Sequence, residues 1–197
     1  FLGNQSTEPR QCVYGIRDRM AERHDTVRLV RDKKFQYLRN FQPHLTWSQF
    51  VSYTEQMPTM KVWRRLAEQG KLNEVQGRYF EPTKPVEELY DVEADPHQIH
   101  NLAGDPQYRK VLERMRGQCL AWMKRTGDLG LLPEYEMHRR AKDRTPFDVG
   151  RDPKANPIDR LLAAAEVANR MDSVSLPQLV ALLDDEAVEY GVMEETS

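Results

Sequence analysis

The run Glu87-Glu88-Leu89-Tyr90-Asp91-Val92-Glu93-Ala94-Asp95-Pro96, closed by His100-Asn101-Leu102-Ala103, constrains the fold of this chain more than any other stretch. It reads as a short apolar strand, an acidic Asp-Pro turn and the approach to a long helix. That helix starts at Asp105-Pro106, with Asp105 as N-cap and Pro106 at the first helical position. Tyr108, Val111, Leu112, Met115, Cys119, Trp122 and Met123 then recur at three- and four-residue steps, and Gly127 closes the run. A helix so one-sided needs an apolar surface to lie on. A cofactor or partner groove is one use for the aromatic and Met stripe; burial against a sheet accounts for it without any ligand.

The sheet is written earlier in the chain. Cys12, Tyr14 and Ile16 alternate with Val13 and Gly15, the two-residue period of a strand. Asp25 to Asp32 alternates weakly, and Phe35, Tyr37 and Arg39 share a face beyond the polar turn Asp32-Lys33-Lys34. Two such runs around a short turn make a hairpin. Pro43 to Tyr53 has no period and is expected to be loop. Pro58 opens a helix that stops near Gly70, a second short helix is expected over Asn73 to Arg78, and Glu87 to Asp91 adds a late strand to the same sheet. The expected fold class is α+β: a small antiparallel sheet packed by a long amphipathic helix, followed by an all-α, HEAT-like tail.

The 197 residues suffice for one domain or a small domain with an appendage. A formal net charge of −2 argues against nucleic acid as a partner. No apolar run approaches the ~18 residues of a membrane span. Cys12 and Cys119 are too few for a disulfide framework or a zinc site, and two buried free thiols are expected rather than a bridge. Asn4-Gln5-Ser6 has the form of a glycosylation sequon.

Arg139 to Asn156 is rich in charge, Pro and Gly and reads as an ordered connector. From Pro157 the chain turns helical again. Leu182-Leu183-Asp184-Asp185 with Ala187-Val188-Glu189-Tyr190-Gly191-Val192 is similar to the helix-turn-helix step of a HEAT-type repeat. The expected division is residues 1–138 as subdomain, 139–156 as linker and 157–197 as a partial helical repeat. Repeats need stacked neighbours, and Phe1-Leu2-Gly3 reads as interior sequence. The coding sequence is therefore expected to continue at both ends.

The strand, Asp-Pro turn and Asn-Leu-Ala order resembles the C-terminal signature of the type I, formylglycine-dependent sulfatases, E-L-Y-D-L-x-x-D-P-x-E-x-x-N-L-A. The resemblance covers most of residues 1–140 and is nearest to sulfatases similar to heparan N-sulfatase and their bacterial relatives. Gly15-Ile16-Arg17-Asp18-Arg19-Met20 matches a family strand end. Asp25 to Asp32, Leu38-Arg39-Asn40-Phe41, Gln56-Met57-Pro58-Thr59-Met60 with Trp63, and Asp128-Leu129-Gly130-Leu131-Leu132-Pro133-Glu134 follow in family order. The resemblance implies a sulfuric ester hydrolase acting on sulfated carbohydrate, and export to a periplasmic, secreted or lysosomal location. It also implies a formylglycine nucleophile made within [C/S]-x-P-x-R, and a calcium ion. No such motif occurs here: Cys12 is followed by Val-Tyr-Gly, Cys119 by Leu-Ala-Trp, and Ser6-Thr7-Glu8-Pro9-Arg10 has its Pro misplaced. No catalytic or metal-binding residue is therefore assigned to this segment, and no cofactor. Calcium and formylglycine are expected in an upstream catalytic domain, the implied partner, so the segment alone is expected to be inactive.

Four residues are candidates for substrate binding. Asn40 and His44, in Asn40-Phe41-Gln42-Pro43-His44, leave a strand for a loop and can hydrogen-bond sugar hydroxyls, with His44 meeting an anion when protonated; satisfying turn backbone is their structural alternative. Arg17 and Arg28, with Asp18 and Arg19, can fork onto a sulfate or lock the subdomain through ion pairs. The acidic pairs Glu87-Glu88, Asp91 with Glu93 and Asp95, and Asp184-Asp185 lack the spacing of a calcium loop and are expected to have surface or capping roles. His97 and His100 beside Asp95 are expected to face solvent. The competing function is a stand-alone, non-catalytic protein-interaction module.

Overall fold

A computed structural model describes residues 10–183. Strands β1 (Val13–Arg17), β2 (Val27–Arg31), β3 (Phe35–Asn40) and β4 (Glu87–Asp91) form one antiparallel sheet in chain order. The expected α+β class is what the chain adopts. Tyr14, Val30, Tyr37 and Leu89 stand directly opposite one another across all four strands. Over them lies α4 (Arg109–Thr126), burying Leu112, Met115, Cys119 and Met123. Tyr14 stacks on Trp122 with ring centroids 4.9 Å apart, and Phe35 meets Tyr108 edge-on. Each such side chain contributes about 1.5–3 kcal/mol on burial, so the stripe read from sequence is the core. The helix begins with a 3₁₀ turn, Pro106–Tyr108, for which Asp105 accepts from the Gln107 N–H. It ends on Gly127 at φ 65°, a left-handed C-cap.

The signature segment owes its residue types to hydrogen bonding. Asn101 Oδ1 accepts from the Leu89 N–H at 2.9 Å, its Nδ2 donates to the Glu87 carbonyl, and the Leu102 N–H donates to the Leu89 carbonyl at 2.8 Å. The outer edge of β4 is thereby closed. Asp91 caps the Glu93 and Ala94 N–H groups, and Asp95 accepts from the His100 backbone, so these two acids have capping roles. Glu87 and Glu88 depart from the surface role expected of them. Glu87 receives the Arg116 fork and the Tyr37 hydroxyl; Glu88, 7% exposed, receives Asn40 and Tyr90.

Between β3 and β4 the chain makes one excursion, closed at its base by Asn40 N–H to the Val86 carbonyl and Lys84 N–H to the Pro43 carbonyl. The stretch expected to be loop ends in one helical turn, α1 (Ser52–Glu55). Helix α2 (Pro58–Glu68) starts at its proline, and α3 (Glu74–Gly77) carries an Asn73–Gln76 capping box. Trp63 stacks on Tyr79 at 4.6 Å with Phe80 against both, a small apolar cluster of its own.

Beyond α4 the segment expected to be a connector contains α6 (Pro146–Arg151) and the last residues of α5 (Glu134–Ala141). A Thr145–Asp148 capping box starts α6 and its Val149 is fully buried. Helix α7 (Ile158–Ala168) sends Leu162 into the core of the sheet, and Glu166 pairs with Arg39 at 2.8 Å. Helix α8 (Leu176–Leu183) ends the described residues. The repeat-like step from Asp184 to Val192, the Asn4-Gln5-Ser6 sequon and the Phe1 start lie outside them. Both cysteines are free, Cys119 buried as expected and Cys12 only half-buried. Among the described residues no helix is long and apolar enough to cross a membrane.

Candidate functional site

Arg17 ends β1, Val27 opens β2 and Asn40 ends β3, and the register sets these three in one row across the sheet. Alternation puts them on the face opposite α4. Two of the four candidate residues therefore share one end and one face. The excursion after β3 brings Trp47 to that end. The Arg17 guanidinium lies 5.8 Å from the Trp47 ring and the Lys84 ammonium 4.6 Å from it, so one indole takes two cations. Lys84 also donates to both carboxylate oxygens of Asp25, at 2.7 and 2.8 Å, with both side chains buried. Burial pulls the Lys84 ammonium below its ordinary pKa, against the pull of Asp25. Asp25 receives the Thr26 N–H as well. Lys84 is its charge partner.

The other candidates are placed differently. Asn40 is fully buried, and its Nδ2 donates to the Pro85 carbonyl and to Glu88 Oε1, both at 2.7 Å. His44 is exposed, one residue past Pro43. Arg28 points to the α4 face, 1% exposed, where Asp128 and Asp18 take its guanidinium. Arg19 forms an exposed ion pair with Glu134. The arrangement at the sheet end thus comprises Arg17 on Trp47 with the Lys84–Asp25 pair beside it; His44 is exposed in the loop that carries Trp47. A flat aromatic beside cations suits a sugar ring bearing an anionic group.

Sequence reasoning missed Trp47, Lys84 and Asp25. A tryptophan in a loop without period was the available signal. The Lys84–Asp25 pair spans 59 residues and leaves no local pattern. Among the described residues no group of three or more His, Cys, Asp and Glu side chains is placed to hold a metal ion. The Cys12 thiol donates to Gln118, and burial pushes the Cys119 thiol up to about 12.

No protein-family model matches the chain. Two proteins of Formosa agariphila named Ulvan-active sulfatase are similar to it. One is 39% identical over 137 residues, 70% of this chain and 23% of the relative. The other is 30% identical over 136 residues, 66% of this chain and 24% of the relative. The human N-sulphoglucosamine sulphohydrolase is 46% identical over 41 residues, 21% of this chain and 8% of the relative. A solved 2-O GAG sulfatase superposes over 78% of this chain and 22% of its own at 20% identity, with a TM-score of 0.39, too slight a likeness to carry a fold assignment. The chain spans about a quarter or less of the curated relatives it matches. Over about two thirds of its length the chain is thus similar to sulfatases, and these likenesses support a C-terminal sulfatase part.

Proposed function

We propose that this chain forms the C-terminal portion of a sulfuric ester hydrolase acting on sulfated carbohydrate, and that it supplies scaffold and one wall of the substrate pocket. The identity of 39% over 137 residues to an Ulvan-active sulfatase carries the reading. The sheet end supports it, because Arg17 and Trp47 set a cation beside an aromatic plane there.

In this reading formylglycine and calcium belong to a catalytic domain upstream, and the whole enzyme is exported. The described residues do not fit either group. They offer no set of metal ligands, and neither cysteine stands in the modification motif. No chemical step is assigned to this portion. Its part is to orient a sulfated sugar: Arg17 holds an anionic group, and Trp47 keeps the guanidinium in place and shields it from water.

The test is sulfate release by the full-length protein from a panel of sulfated oligosaccharides, with ulvan fragments first because two relatives bear that name. Release from at least one is expected. No release from any, by a protein bearing the upstream domain, rejects the reading. The second reading, a non-catalytic interaction module, is favoured by β1, where Val13 is 51% and Ile16 64% exposed. It predicts a chain without sulfatase activity that captures a protein partner along that strand.

A further inference from the structure

Strand β1 is one margin of the sheet, and the other margin, β4, is closed by Asn101 and Leu102. Among the described residues no backbone hydrogen bond other than those to β2 reaches Val13–Arg17. The outward N–H and C=O groups of β1 are therefore a template for another strand. Its side chains divide by face. Tyr14 and Ile16 turn toward α4, where Tyr14 is stacked on Trp122 and Ile16 stays 64% exposed. Val13, Gly15 and Arg17 turn the other way, with Val13 51% exposed.

Gly15, in the middle of β1, has no reason within the described residues to be a glycine. Its φ is not left-handed, and a Cβ there would meet only Leu29, at an ordinary 3.5 Å. Glycine weakens a strand interior, and on an open edge it marks a place where another backbone can come close.

Charge selects the kind of strand. Arg31 stands directly across from Val13, exposed and without a carboxylate partner among the described residues. Arg17 lies on the same face and touches Trp47 rather than an acid. Strand β1 carries no carboxylate of its own, and the acids nearest to it in sequence and register, Asp18 and Asp32, are taken by Arg28 and Arg114. A second copy is a poor occupant. Two β1 strands paired antiparallel about Gly15 would gather two Arg17 and two Arg31 guanidiniums on one face with no carboxylate between them. An extended segment with carboxylates at alternate positions answers both arginines. It would lie two strand spacings from β2, about 9.5 Å, within the joint reach of an Arg and a Glu side chain. The residues between its carboxylates would fall beside Ile16, which asks for apolar side chains there.

We propose that β1 is the docking edge for an extended segment of alternating acidic and apolar residues, added as a fifth strand with its carboxylates toward Arg17 and Arg31. This takes up the strand of the second reading above and names its partner, and it holds whether or not the whole protein releases sulfate. Arg17 is shared with the strand-end cluster, so Arg31 carries the test.

Hydrogen–deuterium exchange of the full-length protein is followed with blocked peptides: alternating Glu and Val, alternating Lys and Val, and the Glu–Val peptide with a central Pro. The Glu–Val peptide is expected to slow exchange over residues 13–17 and to leave 87–91 unchanged; the other two are not. Arg31→Glu should raise the concentration needed by about threefold or more, as turning a cross-strand attraction into repulsion implies. Its melting temperature checks that the fold is kept. Absent protection, equal protection by the Lys–Val or the Pro-bearing peptide, or an unchanged midpoint in Arg31→Glu overturns the inference. Protection over 13–17 that grows with protein concentration before any peptide is added also overturns it, since a second copy then fills the edge. Sulfate release is assayed separately. A protein that takes the peptide yet hydrolyses nothing rejects the sulfatase reading and leaves the edge standing; one that hydrolyses and ignores the peptide does the reverse.

Discussion

Arg28 and Asp128, 100 residues apart in sequence, face each other through two parallel bonds, Nε to Oδ2 at 2.6 Å and Nη2 to Oδ1 at 2.7 Å. Arg28 is 1% exposed, and Asp18 and the Val27 carbonyl take its remaining nitrogen. The fork ties the start of β2 to the segment that follows α4. Replacing Asp128 by Ala strands a buried guanidinium and should cost about 3–5 kcal/mol. Asp18→Ala, at a side chain 39% exposed, should cost about 1 kcal/mol or less. Urea unfolding of both variants at neutral pH checks the order; equal costs would mean that Asp128 is not the principal partner.

Gly127 combines a φ of 65° with a neighbour that leaves no room: a Cβ there would stand 2.1 Å from the Gly150 carbonyl oxygen. Gly127→Ala should therefore cost more than the 1–2 kcal/mol of the left-handed conformation alone. Gly117, in the middle of α4, has nothing within 4 Å of the corresponding point. Gly117→Ala should stabilise by about 0.5–1 kcal/mol. Thermal melts of the two variants should move in opposite directions.

Burial pushes the Cys119 thiol up to about 12, and burial with Asp32 nearby raises Cys12 more mildly. Since the thiolate is the reactive form, iodoacetamide at neutral pH should label Cys12 slowly and Cys119 only after denaturation. Mass spectrometry of tryptic peptides distinguishes them. Native labelling of Cys119 would contradict its place beneath the sheet.

Glu87 carries a stability that depends on pH. Burial works to raise its pKa, but the Arg116 fork and the Tyr37 hydroxyl outweigh burial and hold it below the usual carboxylate range. A depressed folded-state pKa contributes stability above the unfolded value, near 4.3, and loses it as pH falls through the folded value. Glu87→Gln should cost about 2 kcal/mol at neutral pH, with the gap to the natural protein narrowing below about pH 4. Urea midpoints across that range measure it; a gap independent of pH would rule out the ion pair as its source.

At the sheet end, Trp47→Ala should loosen Arg17, and His44→Ala should remove an exposed imidazole from the same loop. In the full-length enzyme each is expected to raise KM for a sulfated oligosaccharide by about tenfold, the size of one charge-assisted hydrogen bond, with kcat little changed. A fall in kcat at constant KM would place these residues nearer the chemistry than the proposed wall.

Local patterns were the legible part of this chain. Alternation around the Asp32-Lys33-Lys34 turn shows β2 and β3, and the steps from Tyr108 to Met123 show α4, because each pattern lies within a few turns of one element. The short helix Pro146–Arg151 was hidden inside a charged, Pro- and Gly-rich stretch, although the Thr145–Asp148 box marks its start. Arg17 and Asn40 prove to be row-mates because three adjacent strands happen to be in register. Lys84 with Asp25, and Arg28 with Asp128, are partners chosen by tertiary folding across 59 and 100 residues, and no spacing rule records such choices.

The amide of Asn101 fills the place that a fifth strand would take beside Glu87–Asp91. A ladder stopped on one flank can be widened only from the other. Any strand recruited by this sheet must therefore line up along Val13–Arg17. Assembly has a built-in direction, set by one side-chain amide three strands away from where the addition occurs.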